Sequence, residues 1–421
     1  MCRLRRRPYR APRLLPLAPR VRPFDRQRIL LGVTGGIASY KTAWLARLLT
    51  QAGADVDVVL TRSAREFVGA VTFEALTGRP VHTELVAAGH ALDHIALARA
   101  ASVVVVAPAT ADFLARAAGG HADDLLGACL LATTAPVLVV PAMNDRMWAH
   151  AQVQQNARAL AGLGYHVVPP DNGALAAGEG SGPGRMPEPE AILMHVARLL
   201  EPARALHGRR VVVTAGPTRE AIDPVRFISN RSSGRMGVEI AAAAWRRGAA
   251  VTLIAGPLEV SVPEGPTIVS VESTDDMRRA VAAALPTADV LVMAAAPADF
   301  TATQTASSKL KKASMPSALA LSHTDDILLS TRDLRSPACV VVGFALETER
   351  VLDEGRRKRR DKDLDLIVVN DATEPGAGFG VDTNRVTLID ANDVEVALPL
   401  MSKRDVSDAI LDAVERLIDG R

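Results

Sequence analysis

The sequence predicts an α/β protein made of two tandem doubly wound domains. Three observations carry that expectation. Short β-branched runs alternate with Ala- and Leu-rich helical stretches from Arg28 onward. Some of these runs, such as Val103–Ala107 and Val137–Val140, are apolar throughout, as parallel strands covered on both faces are. The pattern is interrupted at Pro202–Gly208 and then restarts at Arg209–Thr214. The expected bounds are a tail over 1–27, a domain over 28–200, a linker over 201–208 and a second domain over 209–421.

In the first domain, Ile29–Val33 reads as a strand, Thr34-Gly35-Gly36 as a turn and Ser39–Gln51 as a helix. Strands follow at Asp55–Leu60, Val103–Ala107, Val137–Val140 and Tyr165–Val168, with helices over Ala111–Ala118 and Asp123–Ala132. Asp171–Pro189 is rich in Gly and Pro and reads as a loop, and 188–200 reads as a helix. In the second domain, strands are expected near 250–254, 267–271, 289–293, 339–343, 365–369 and 385–390. Helices are expected near 235–247, 273–284, 348–362 and 403–417.

Composition narrows the function class. The 421 residues carry a formal charge of +2, but ten Arg against one Asp fall within residues 1–28, so the remainder is mildly acidic. That balance argues against a nucleic-acid partner for the folded body. Cys2, Cys129 and Cys339 are too few and too far apart for a disulfide framework or a zinc pattern, which fits a reducing, cytoplasmic setting. No apolar run approaches the about 18 residues that cross a bilayer, so no membrane partner is expected. Residues 1–27 lack an apolar secretory core; they read as a disordered tail or an early start, and their composition also suits a transit peptide.

In doubly wound sheets, ligands sit in the loops at the carboxyl ends of the strands. Thr34–Lys41 could be a phosphate-binding turn or a plain strand-to-helix connector; it is not the GxGxxG fingerprint. Ala107–Asp112 and Pro141–Trp148 follow two further strands, and the three loops together point to one shared site. His94, beside Asp93, is a weak candidate acid/base on spacing alone. The segments GGIASYK (35–41), APATAD (107–112), PAMNDRMW (141–148) and GPGRM (182–186) resemble the FMN-dependent phosphopantothenoylcysteine decarboxylase family over residues 28–200. The resemblance implies a flavodoxin-like FMN domain. It implies FMN held by Gly35, Gly36, Ile37, Thr61, Ala109 and Thr110, with His94 as base and Asn144 as anchor of the substrate carboxylate. A carboxylate cannot depart without a sink for its electrons, and flavin oxidation of the neighbouring thiol carbon would create one. The family's loop Cys, which donates a proton when the enethiol is reduced, is replaced here by Ala177. Glu179 nearby is either a substitute donor or a solvated loop carboxylate.

In the second domain, the stretch Thr214–Gly237 is too long for a bare connector before the next helix. Ser232-Ser233-Gly234 at that helix start could cradle a phosphate, with charge from Arg226 and Arg235. The basic cluster Lys309–Lys312 and the basic face of Arg356–Lys362 hint at a polyphosphate or are merely solvated. The motifs TAGPTREAIDPVRFISNRSSGRMG (214–237), AAPAD (295–299), KLKK (309–312), GFALET (343–348) and KDLDLIVVND (362–371) resemble phosphopantothenate–cysteine ligases of the CTP-using type. The resemblance spans 209–420 and implies a second Rossmann-like domain. It implies Arg226 and Asn230 at the acyl-cytidylate intermediate and Lys309 at the acyl transfer or the phosphates. Met293, Ala294, Ala295, Asp299, Asp325, Asp326, Ile327, Leu328, Phe344, Lys358 and Lys362 would line the CTP site. Mg²⁺ is expected with the nucleotide, and its protein ligands are not legible. Pro297, Asp325 and Asp363 depart from the family pattern, and Asp325 adds negative charge near the nucleotide.

Together the two resemblances imply one bifunctional chain of coenzyme A biosynthesis, acting on 4′-phosphopantothenate, cysteine and CTP. They also imply a homo-oligomer, with trimers of the flavin domain and dimers of the ligase domain. Two alternatives follow from Ala177: a working ligase beside a stalled decarboxylase, or a flavin half kept as a scaffold or regulatory module. Retention of both His94 and Asn144 argues against the scaffold.

Overall fold

The computed structural model describes residues 24–86, 91–176, 178, 180–262, 264–311, 318–371, 373, 374, 376, 378 and 380–421. The chain divides into two compact units, one ending at Ala197 and the other formed by Arg198–Arg421.

The first unit runs β1 (Arg28–Val33), α1 (Ser39–Gln51), β2 (Asp55–Leu60), α2 (Ala70–Thr77), β3 (Val81–His82), α3 (Asp93–Ala100), β4 (Val103–Ala109), α4 (Ala111–Ala118) and α5 (Leu125–Ala132). It continues with β5 (Val137–Pro141), α6 (Asp145–Ala149), α7 (Ala151–Gly162), β6 (His166–Val167), β7 (Asp171–Ala174), β8 (Ser181–Arg185) and α8 (Pro189–Leu200), which runs on past Ala197. The main sheet has the order β3-β2-β1-β4-β5-β6 and every pairing in it is parallel. Each residue of β4 is buried, as its unbroken β-branched run predicts. Burying each such valine contributes about 1.5–3 kcal/mol before chain entropy is counted. Thr110 and Asp124 cap α4 and α5 by accepting the N–H of Phe113 and Gly127, which sets where each helix leaves the sheet.

The loop expected over Asp171–Pro189 is in large part an antiparallel hairpin, β7 with β8. Its Gly and Pro content disguised it, because this ribbon belongs to no larger sheet and owes nothing to β-propensity. Close approach holds it in place. Gly184 accepts the N–H of Met143 at 3.0 Å, and a Cβ on Gly184 would stand 2.2 Å from the Met143 carbonyl oxygen. Only glycine lets the ribbon lie against the Met143–Asn144 loop.

The second unit runs β9 (Arg210–Ala215), β10 (Arg219–Ala221), β11 (Phe227–Ser229), α9 (Arg235–Arg246), β12 (Ala250–Ala255), β13 (Thr267–Ser270), α10 (Thr274–Ala284), β14 (Val290–Met293), β15 (Phe300–Ala302) and β16 (Leu321–His323). It ends with α11 (Ile327–Ser330), β17 (Val340–Glu347), α12 (Val351–Asp361), β18 (Leu366–Asp371), β19 (Thr383–Asn384), β20 (Val386–Asp390), β21 (Glu395–Ala397), β22 (Met401–Ser402) and α13 (Lys403–Asp419). Its eight strands follow β13-β12-β9-β14-β17-β18-β20-β21, with the last two pairings antiparallel. The long stretch after β9 folds back as the hairpin β10–β11 before α9 begins.

Both sheets reverse direction at their first strand: β1 lies between β2 and β4, and β9 between β12 and β14. In open α/β sheets that reversal opens a crevice at the carboxyl ends, where ligands bind.

Candidate functional site

Each unit has a cavity at that position. In the first unit it encloses about 390 Å³ between the loops after β1, β4 and β5 and the β7–β8 hairpin. Gly35, Gly36, Ile37, Thr110 and Asn144 line it together, as the motifs predict. The N–H groups of Gly36, Ile37 and Ala38 find no protein acceptor among the described residues, which leaves a donor cluster facing the cavity. A Cβ on Gly36 would make ordinary contact, at 3.9 Å, with Pro108 and Thr110, so the glycine leaves clear a space between them that a side chain would fill. Ile37 is 67% exposed and Met147 48%, apolar surface that a flat ring system would cover. These features fit FMN: donors for a phosphate and apolar walls for a ring.

Asn144 caps the short helix α6. Its Oδ1 accepts the Arg146 N–H at 2.9 Å, so its Nδ2 is left to donate to a ligand. Three predicted residues stand off the cavity lining. Thr61 ends β2, bonded to the Val33 carbonyl and the Ala64 N–H. Ala109 is fully buried at the end of β4. His94 lies on α3, where its buried Nδ1 has no hydrogen-bond partner among the described residues. Its neighbour Asp93 faces His82 at 3.5 Å. Ala177 and Glu179 lie outside the described residues.

Sequence reasoning missed Lys41. It is 7% exposed and lines the cavity, yet it is neutralised from within. Its Nζ donates to the Met186 carbonyl at 2.9 Å and to Glu188 at 3.0 Å. Burial alone would raise the Glu188 carboxyl, but the bond and charge of Lys41, with Arg185 beside it, hold it below its ordinary value.

The second unit's cavity, about 330 Å³, gathers Asn230, Ala294, Ala295, Asp299, Phe344 and Lys358 from the predicted set. The Ser232-Ser233-Gly234 turn and Arg235 border it as well. Gly234 caps α9 with φ 79° and no side chain; the Arg235 N–H donates to Ser233 Oγ at 3.5 Å, and those of Met236 and Gly237 find no protein acceptor among the described residues. Asn230 donates Nδ2 to the carbonyls of Ala296 and Pro297, at 3.2 and 2.9 Å.

Other predicted residues sit around this cavity rather than on it. Lys362 pairs with Asp326 at 2.7 Å. Burial would raise Asp326, but Lys362 and the capped N–H of Leu329 hold it low. Lys358 in turn meets Glu347 at 2.6 Å. Ile327, Leu328 and Met293 belong to the hydrophobic core, so only their backbone is available to a ligand. The Asp325 side chain is 76% exposed and lies 3.8 Å from Arg278. Lys309 is exposed.

Arg226 is held by Asp223, a residue 2% exposed that sequence reasoning left without a role. Nε of Arg226 meets Oδ2 at 3.0 Å, and its guanidinium also donates to the Leu310 carbonyl at 2.9 Å. Asp223 further accepts the N–H groups of Val225, Arg226 and Leu310. The Arg226 bond and these N–H groups outweigh burial and keep the Asp223 carboxyl well below the usual carboxylate range. Asp223 therefore ties the Arg226 loop to the segment carrying Lys309. Asn370, Asn384 and Lys403 also line the cavity without having been assigned. Lys403 had one signal: a lysine in the first turn of a helix opposes the helix dipole, and such local conflicts mark functional positions.

Two tandem nucleotide-fold units, the first with a cradle suited to a flavin, define a two-site flavoprotein. A family model described as "Flavoprotein" matches residues 19–201, and one for the "DNA/pantothenate metabolism flavoprotein C-terminal domain" matches 206–417. The Coenzyme A biosynthesis bifunctional protein CoaBC of Mycolicibacterium smegmatis is 46% identical over 411 residues, 94% of this chain and 99% of that protein. The protein of the same name from Bacillus subtilis is 43% identical over 400 residues, 93% of this chain and 98% of its own length. A crystal structure of a CoaBC C-terminal domain is 35% identical, covers 52% of this chain and all of that domain, and has a TM-score of 0.45. The chain belongs to the family of coenzyme A biosynthesis bifunctional proteins.

Proposed function

We propose that the second unit joins 4′-phosphopantothenate to cysteine with CTP, and that the first unit decarboxylates the product to 4′-phosphopantetheine. The observation that carries this reading is that each motif set borders its own cavity at the reversal point of its own sheet.

In the second unit the substrate carboxylate attacks the α-phosphorus of CTP and pyrophosphate leaves. The amine of cysteine then attacks the acyl carbon, forming the amide as CMP departs and a proton is lost. The open N–H groups of α9 and the hydroxyls of Ser232 and Ser233 are suited to phosphate oxygens. Asp223 presents Arg226, and Asn230, its Nδ2 already engaged, offers Oδ1 as an acceptor to an amine or hydroxyl. Lys309 reaches the acyl-phosphate, while Lys358 and Lys362 attend the nucleotide. Mg²⁺ comes with CTP, with Asp299 as the carboxylate on the cavity wall; among the described residues no cluster of three His, Cys, Asp or Glu forms a cation site.

In the first unit FMN, when bound, supplies the two-electron chemistry that gives the departing CO₂ an electron sink. The N–H groups of Gly36, Ile37 and Ala38 would hold its phosphate, and Nδ2 of Asn144 would hold the carboxylate to be lost. His94 serves as base. It stands off the cavity lining, and assembly of copies around the flavin site is the arrangement that would bring it to one. Trimers through the flavin unit and dimers through the ligase unit are part of the reading, as is work in the cytoplasm. Among the described residues no helix is long and apolar enough to cross a membrane.

The test is an anaerobic assay with 4′-phosphopantothenate, cysteine and MgCTP, read by mass. The reading expects 4′-phosphopantetheine over many turnovers. Accumulation of 4′-phosphopantothenoylcysteine alone would reject the decarboxylase half. Absence of any cysteine adduct would reject the ligase half.

A further inference from the structure

Lys403 is 5% exposed and lines the second unit's cavity as the first residue of α13. Its Nζ donates one hydrogen bond, 3.0 Å to the Gly378 carbonyl. Among the described residues no carboxylate lies within ion-pair distance of it. The acid nearest in charge, Asp382, is engaged by Arg235 at 3.1 Å. Burial and the charge of Arg235 push its ammonium below the ordinary lysine value, and Asp382 only partly opposes them. The positive end of its own helix adds to the conflict. A buried ammonium lacking an anion is a costly arrangement unless a ligand supplies the charge.

The space beside it is suited to one kind of anion. The Ser232-Ser233-Gly234 turn and the start of α9, where the Met236 N–H has no protein acceptor among the described residues, border the same cavity, and Arg235 adds a second cation. We infer that Lys403 is a phosphate-binding residue, whose ammonium and the N–H groups at the start of α9 receive a phosphate of a bound substrate. This rests on the reading of the second unit as a CTP-using ligase. Two sources carry that chemistry: the β- and γ-phosphates of CTP, and the 4′-phosphate of 4′-phosphopantothenate.

Calorimetric titration of the full chain tests the inference. Lys403→Gln keeps a donor for the Gly378 carbonyl and removes the charge; Lys403→Arg keeps the charge. The ligands are MgCTP, CMP, pyrophosphate, 4′-phosphopantothenate and pantothenate. If the phosphate is that of the nucleotide, Lys403→Gln weakens MgCTP and pyrophosphate about 30-fold or more and leaves CMP unchanged. If it is the 4′-phosphate, 4′-phosphopantothenate weakens, while pantothenate and MgCTP do not. In either case Lys403→Arg recovers most of the loss. Equal weakening of every ligand, or of none, overturns the inference and leaves Lys403 an anchor for the Gly378 segment. Failure of the unchanged chain to bind MgCTP would reject the ligase reading alone, provided pyrophosphate still binds and weakens with Lys403→Gln. Should Lys403→Gln not fold, Lys403→Met at the same contrast of pyrophosphate against CMP decides the matter.

Discussion

The two cavities each hold a buried lysine in the first turn of a helix, and the two lysines are treated differently. Lys41 has Glu188 at 3.0 Å and a carbonyl besides. Lys403 has a carbonyl alone. In the first cavity the lysine has its counter-charge before any ligand arrives, in a Glu188 shared with Arg185, and backbone donors and the free amide of Asn144 face the space beside it. In the second the lysine has no carboxylate in ion-pair reach among the described residues, although Asp299 stands on the same wall, a condition suited to an anion that binds at the lysine and then leaves. The same reversal of strand order thus supports two kinds of site, and the carboxylate beside the lysine is one difference between them.

The largest effect expected from disturbing this comparison is at the β7–β8 hairpin. Gly184→Ala must displace either the hairpin or the Asn144 loop, because the nearest atom is a backbone oxygen. Decarboxylation of supplied 4′-phosphopantothenoylcysteine should fall about 100-fold. Ligation, measured as pyrophosphate release, should be unchanged; a parallel loss in both would show that the two sites are not independent.

Next comes Asp223→Asn. The Arg226 guanidinium loses its carboxylate, and kcat/KM for ligation should fall about 10-fold or more with decarboxylation intact. The pH dependence has a definite sign. Asp223 has a folded pKa below its unfolded one, so its stabilisation is full above the ordinary carboxylate value near 4 and is lost as pH falls below it. Acid unfolding of the second unit should therefore be less steep with pH in the variant, as followed by circular dichroism.

Glu188→Gln makes Lys41 resemble Lys403. Glu188 is half exposed, so the loss of stability should be about 1 kcal/mol, read as a shift in urea midpoint. Absence of any shift would mean that solvent already screens Lys41.

The smallest effect supplies the means of measuring each unit alone. Burial pushes the thiols of Cys129 and Cys339 up to about 12 and about 11, with one cysteine in each unit. Neither should react with a thiol reagent until its own unit opens, so labelling against urea gives two separate midpoints. Cys2 lies outside the described residues.

Much of this was legible in the sequence. Most strands of both sheets stand out because parallel strands need unbroken β-branched runs, the short edge strands β3 and β21 being the ones not read, and α1 begins and ends at the expected residues. The loop motifs at the strand ends led to most of the lining of both cavities. Three things were not legible. The hairpin β7–β8 is built from close approach, which leaves no periodicity to read. Ile327 and Leu328 were placed at the nucleotide by resemblance but their side chains belong to the core, since a resemblance gives order and not orientation. Lys41 and Lys403 act through burial and partners far away in sequence, and Asp223, though its main partner Arg226 is three residues on, is defined by burial and by the distant N–H of Leu310.

The hairpin has one more consequence. It is joined to no larger sheet, its buried apolar side chains are few, and its main tie to the rest of the unit is a single amide-to-carbonyl bond from Met143 to Gly184. In an amide-exchange experiment this ribbon should surrender its protons long before β1 or β4 does. Lifting the ribbon then requires only a local opening, while β1 and β4 stay closed throughout.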